Sequence, residues 1–155
     1  MATEIDRIVR LIEKTFDKQP WYGSSIIEIL KDIQPEIVSQ KIGHSHSIIE
    51  LVLHMASWRT FVTNRLNGND EFQVSEENNF PKPGTWEEAL KKLNESQFEL
   101  IAATKKFPEE KLGDLCPSNV HKYTYYTLLH GVTQHDVYHL GQIALLKKAV
   151  TKDKN

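Results

Sequence analysis

Apolar residues in this chain recur three and four positions apart nearly throughout, and the alternating period of a strand is almost absent. Ile5, Ile8, Val9, Leu11, Ile12 and Phe16 follow that spacing and predict a helix over 5–16. A second kind of signal marks where helices begin. Ser47-Ile48-Ile49-Glu50 and Thr85-Trp86-Glu87-Glu88 are capping boxes, in which a hydroxyl and a carboxylate three residues apart satisfy backbone N–H groups that a helix start leaves unpaired. They predict helices over 47–66 and 85–107. Asn67-Gly68 stops the first, since either residue tolerates the left-handed conformation that ends helices, and Pro108 follows the second. Ser24-Ser25 opens a short helix reaching about Ile33, and a last helix is expected over 124–148, with lysines in its final turns where the helix dipole favours them. The polar stretch over 67–84, with Pro81 and Pro83, reads as a long loop. Four long helices and one short one indicate an all-α bundle. The connections are long enough to run back along a helix, so loop length leaves the topology open.

With 155 residues, 39% of them hydrophobic and 26% charged, the chain suits a single domain over 1–150 with a polar tail over 151–155. A net charge of −2 and no block of like charge make nucleic acid a poor partner. No stretch approaches the roughly 18 apolar residues of a membrane span, and the acidic start lacks the pattern of a secretory signal. Cys116, the single cysteine, can form no intramolecular disulfide, and a reducing cytoplasm is the expected compartment. It lies in a Leu-Cys-Pro stretch that nothing marks as activated, so it reads as a small buried side chain.

Seven histidines (44, 46, 54, 121, 130, 135 and 139) are the chain's most reactive resource. His135 and His139 stand at i, i+4 and therefore on one helix face, where two imidazoles can meet one metal ion. They share a stripe with Leu128, Gly131, Val132, Gln142 and Leu146 that looks inward-facing, and buried imidazoles need partners. Asp136 or a backbone carbonyl would serve as well as a metal, so the pair alone decides nothing. On the helix over 47–66, Ser47, Glu50, Leu51, His54, Trp58, Phe61 and Arg65 form a comparable stripe with His54 as its one histidine. Three neutral imidazoles would leave a metal with an open position for acidifying water or activating a substrate atom. Glu50, one turn before His54, is a weak candidate for a general base, because its capping role already accounts for it. Trp58, Tyr123, Tyr125 and Tyr126 could line a pocket but serve equally well as core or surface.

Two segments carry a family resemblance: Ser-Ile-Ile-Glu-Leu-Val-Leu-His-Met-Ala-Ser-Trp, ending at Trp58, and His-Gly-Val-Thr-Gln-His-Asp-Val-Tyr-His-Leu-Gly-Gln-Ile, from His130 to Ile143. With Thr85-Trp86-Glu87-Glu88-Ala89-Leu90 at the third-helix start, the chain resembles the DinB-like (YfiT-like) metal-dependent enzymes. The resemblance implies a four-helix bundle running up-down-down-up and a divalent metal, zinc or nickel, held by His54, His135 and His139. It also implies a small-molecule substrate and often a homodimer. Some similar proteins transfer low-molecular-weight thiols and others are called hydrolases. The expectation is a metalloenzyme that transfers a small thiol to an electrophile. The alternatives are a metal-dependent hydrolase, or a non-enzymatic module that the metal staples together.

Overall fold

The helix starts follow the capping chemistry closely. In the computed structural model, which describes residues 1–118 and 121–152, α1 (Glu4–Asp17) begins where Thr3 Oγ1 accepts from Asp6 N and Asp6 Oδ2 accepts from Thr3 N. Ser25 and Glu28 open α2 (Ile26–Leu30) in the same way. Glu50 Oε2 accepts from Ser47 N at 2.7 Å at the head of α3 (Ile48–Leu66), and Thr85 with Glu88 opens α5 (Trp86–Lys106). The last helix, α6 (Tyr125–Lys152), follows Thr124, whose Oγ1 accepts from Thr127 N at 3.2 Å. It runs two residues into the stretch expected as a polar tail, and 153–155 lie outside the described residues. After α3 it is Gly68, with φ of 78°, that takes the left-handed turn.

Two expectations shift. The short helix ends at Leu30 rather than Ile33, because the chain tightens there: Ile33 N donates to Leu30 O, and a 3-10 turn follows over Pro35–Ile37. The expected loop over 67–84 contains one helical turn, α4 (Glu76–Asn79). A box of Ser75 with Asn78 holds it, Ser75 N donating to Asn78 Oδ1 at 2.7 Å. Four residues are too few to show a helical period, so the pattern of apolar residues is silent there.

The bundle direction follows from which residues share a core. One buried cluster joins Phe16 at the end of α1, Ile48 to Ala56 at the start of α3, Trp86 to Leu93 at the start of α5, and Leu140 to Val150 at the end of α6. The other joins Ile5 to Ile12, Phe61 and Val62, Leu100 and Phe107, and Leu129 and Val132, which are the opposite ends of the same helices. Thus α1 and α6 run one way and α3 and α5 the other: up, down, down, up. Both α1 and α3 pack against α5 and α6. Among the described residues no strand forms, a single bridge between Leu115 and Thr124 leading the chain into α6, and no helix is long and apolar enough to cross a membrane.

Between the two clusters lies a polar waist, where Arg59 of α3 donates through Nε (2.9 Å) and Nη2 (2.8 Å) to Asp136 Oδ2 of α6. Both side chains are buried, and the guanidinium also lies over the Phe16 ring, 4.9 Å from its centroid. Burial raises the Asp136 carboxyl above its ordinary range, and the Arg59 charge opposes that rise. Arginine keeps its proton, so truncating Asp136 strands a buried cation. Asp136→Ala is therefore expected to lower unfolding free energy by about 3–5 kcal/mol, whereas Arg59→Met with Asp136→Leu together recovers most of the loss. Urea unfolding of the three chains checks this; equal destabilisation by the single and double replacements would contradict it.

Candidate metal centre

The waist also carries the histidines. His54 stands on α3 among the residues Leu53 to Ala56 that reach the first cluster, on the side nearer the waist, while His135 and His139 stand on α6 between Val132 and Leu140. Because α3 and α6 are antiparallel, the one histidine of one stripe meets the i, i+4 pair of the other. His54 Nε2 is 3.0 Å from His135 Nε2, and His139 Nε2 is 3.1 Å from His135 Nε2. The ligating atoms of all three lie within 4.8 Å of one another. His54 and His139 are buried and His135 partly so.

The outward nitrogens decide what the inward ones can do. His54 Nδ1–H donates to the Asn79 carbonyl at 2.7 Å, and His139 Nδ1–H donates to Gln142 Oε1 at 2.6 Å. Each acceptor fixes the tautomer, so both Nε2 atoms present lone pairs toward His135. Burial holds His135 down to about 3, with His139, His54 and Arg59 adding repulsion. His54 and His139 are also lowered, burial outweighing the Asn79 carbonyl at His54 and Gln142 at His139. All three rings are neutral at pH 7, the state a metal requires. Two of the three Nε2 pairs are 3.0 and 3.1 Å apart and all ligating atoms lie within 4.8 Å, close enough that His54, His135 and His139 could share one ion. One proton on His135 Nε2 could serve only one of the two lone pairs that face it, whereas a cation could accept all three nitrogens. The donor set fits a divalent cation.

The segment read as loop supplies the support. Besides its carbonyl, Asn79 offers Oδ1 to Trp58 Nε1 at 3.0 Å. Phe80 stacks on His54 (centroids 4.1 Å apart, planes 6° apart) and on His46 (3.7 Å, 9°), forming a three-ring stack that fixes the His54 plane. Neither Asn79 nor Phe80 carried a sequence signal. Glu50 is held elsewhere: Oε2 takes Ser47 N and Oγ, and Oε1 takes Lys41 Nζ at 2.9 Å. Burial raises its carboxyl, but those hydrogen bonds outweigh that and leave it below the ordinary range. Asp136, considered from sequence as a histidine partner, pairs with Arg59 instead. Cys116 is buried, which raises its thiol and leaves it protonated.

Beside the triad opens a cavity of about 620 Å³, reached by His54 and His135 and lined by Trp58, Tyr123 and Gly131 among others. Tyr125 packs on Phe107 in the lower core and Tyr126 lies exposed against His130. A sequence profile described as the DinB superfamily matches residues 22–143. The chain belongs to the DinB superfamily. No curated protein and no solved structure matches it. The match spans both segments that carry the histidines of this DinB-superfamily chain, so family and triad coincide on the same residues.

Two measurements follow. Gln142→Leu removes the acceptor that orients His139 and is expected to weaken metal binding about 10–100-fold in a chelator competition; unchanged affinity would contradict the orienting role. In the metal-free chain, His135 titrates near 3 when folded against 6.5 when unfolded. The unfolded state then binds more protons at this ring between those values, so the contribution of neutral His135 to stability is complete above pH 6.5 and is lost as pH drops toward 3. His135→Ala should flatten that slope in denaturant midpoints measured across pH.

Proposed function

We propose that this chain is a metal-dependent enzyme in which His54, His135 and His139 hold a divalent ion, zinc or nickel, and that it transfers a low-molecular-weight thiol to an electrophile. The observation that carries the reading is the convergence of three Nε2 atoms with two of the outward nitrogens already tied to carbonyl oxygens. Imidazole nitrogen suits zinc and nickel alike. A divalent ion held there supplies Lewis acidity, lowering the pKa of a thiol or water brought against it.

The chain's own residues do the rest. Asn79 and Gln142 keep the lone pairs of His54 and His139 aimed inward, and Phe80 prevents the His54 ring from turning. Trp58 and Phe61 wall the adjoining cavity with carbon. In the transfer, the thiol proton leaves to solvent and sulfur forms a bond to the electrophilic carbon. The leaving group departs with its bonding pair. Thiol chemistry is favoured over hydrolysis by the state of the nearby carboxylates: Glu50 is taken up by Ser47 and Lys41, and Asp136 by Arg59. A thiol of pKa about 8.5 ionises without a general base far more readily than water at about 15.7.

Elemental mass spectrometry on the full chain should find close to one zinc or nickel per chain, and none in His135→Ala prepared identically. The metal-loaded chain should accelerate the reaction of cysteine with 1-chloro-2,4-dinitrobenzene, and His135→Ala should not. No metal in either chain after reconstitution would overturn the reading. A loaded chain that is inactive with thiols and unfolds on chelation would make the metal a staple; the enzymatic reading expects the chelated chain to stay folded, because its two apolar clusters are complete without an ion.

A further inference from the structure

Gly131 stands one helical turn before His135, and it lines the cavity beside the triad. Glycine is a poor residue for a helix interior. The usual reason for keeping one, a neighbour too near for any side chain, is absent: a methyl group added at Gly131 meets nothing from the rest of the chain within 4 Å. Gly141 of the same helix is equally open, but it is exposed, whereas Gly131 is partly buried. The space left by the missing side chain at Gly131 belongs to the cavity.

The lining has a second property. Among its described residues there is no Asp, Glu, Lys or Arg. Phe61, Val62 and Val132 are buried, and Trp58, Val74 and Leu128 pack with them. The indole N–H of Trp58 is already given to Asn79, so the ring offers the cavity only carbon. Besides the two histidines of the triad, polar groups come from Gln73, Ser118, His121 and Thr127, which are exposed, and from Asn79 and Tyr123, which are partly buried; none carries a fixed charge. A volume of about 620 Å³ suits a small organic molecule. A charged group placed inside would lose its hydration and find no side-chain counter-ion.

We infer that the acceptor substrate is an uncharged, apolar compound carrying a ring system, lying against Gly131 and Trp58 with its reactive carbon toward His54 and His135, and that Gly131 sets the size accepted. This rests on the proposed function in taking the cavity as the acceptor's site. Binding of the ring system itself needs no metal, so the two can fail separately.

The test is calorimetric titration of the full chain with 2-naphthamide and with 2-naphthalenesulfonate, which share a ring system and differ in charge, the sulfonate being a weak metal ligand. Metal content is measured on the same samples. Wild type should bind the amide at least tenfold more tightly than the sulfonate. Gly131→Leu, which fills the space while improving helix propensity, should weaken amide binding at least tenfold and keep its metal content. Gly131→Ala should raise the thermal midpoint and weaken the amide by a smaller factor, and it decides the matter if the leucine chain does not fold. No binding of the amide up to millimolar concentration, equal binding of the sulfonate, or amide binding indifferent to both replacements would overturn the inference. Absence of metal with the amide result intact would overturn the proposed function and leave the cavity's preference standing.

Discussion

Everything at the centre of this bundle depends on the register of α3 against α6. The two helices run antiparallel, and at the waist they meet through polar groups that hydrophobic packing alone would not place. Arg59 follows Trp58 on α3, and Asp136 follows His135 on α6. Their ion pair therefore fixes the two helices next to the positions where the histidines face each other. Apolar clusters above and below tolerate small slides, because one aliphatic contact resembles the next. A buried guanidinium bound through Nε and Nη2 does not. The waist costs desolvation energy and returns a defined geometry for three imidazoles.

That geometry is unusual as plain core. Three neutral rings crowd their Nε2 atoms while their outward nitrogens are held on two sides by carbonyl oxygens. Such an arrangement is poorly satisfied by protons alone, since the lone pairs of His54 and His139 both face the one His135 Nε2, which carries at most one proton. It is well satisfied by a cation. The cavity beside it adds a contrast in chemistry: nitrogen ligands at one wall and carbon over most of the rest. A site of this kind suits activation of a small nucleophile next to an apolar acceptor.

Much of the framework was legible in the sequence because its signals are local. The boxes at Ser47 and Thr85 start helices where the backbone needs capping, and the i, i+4 spacing of His135 and His139 forces them onto one face. His54 was weaker as a reading of residues, since a lone histidine on an apolar stripe has many uses; it joined the others through family resemblance, and the fold brings it to 3.0 Å from His135. The groups that orient the triad were not legible. Asn79 and Phe80 sit in a polar stretch whose single helical turn is too short to declare itself, and they act through a carbonyl and a ring face. The Arg59–Asp136 pair was hidden for another reason: it joins residues 77 apart that only the antiparallel register brings together. Glu50, legible as a cap, is used as one.

The central claim is that the three imidazoles hold an ion that keeps a position open to substrate. X-ray absorption on the metal-loaded chain, recorded before and after adding cysteine, tests it most directly. The account predicts imidazole nitrogens at about 2.0–2.1 Å in both spectra and a new sulfur scatterer at about 2.3 Å once the thiol is present. A spectrum unchanged by the thiol, with a fourth ligand supplied by the protein, would contradict it.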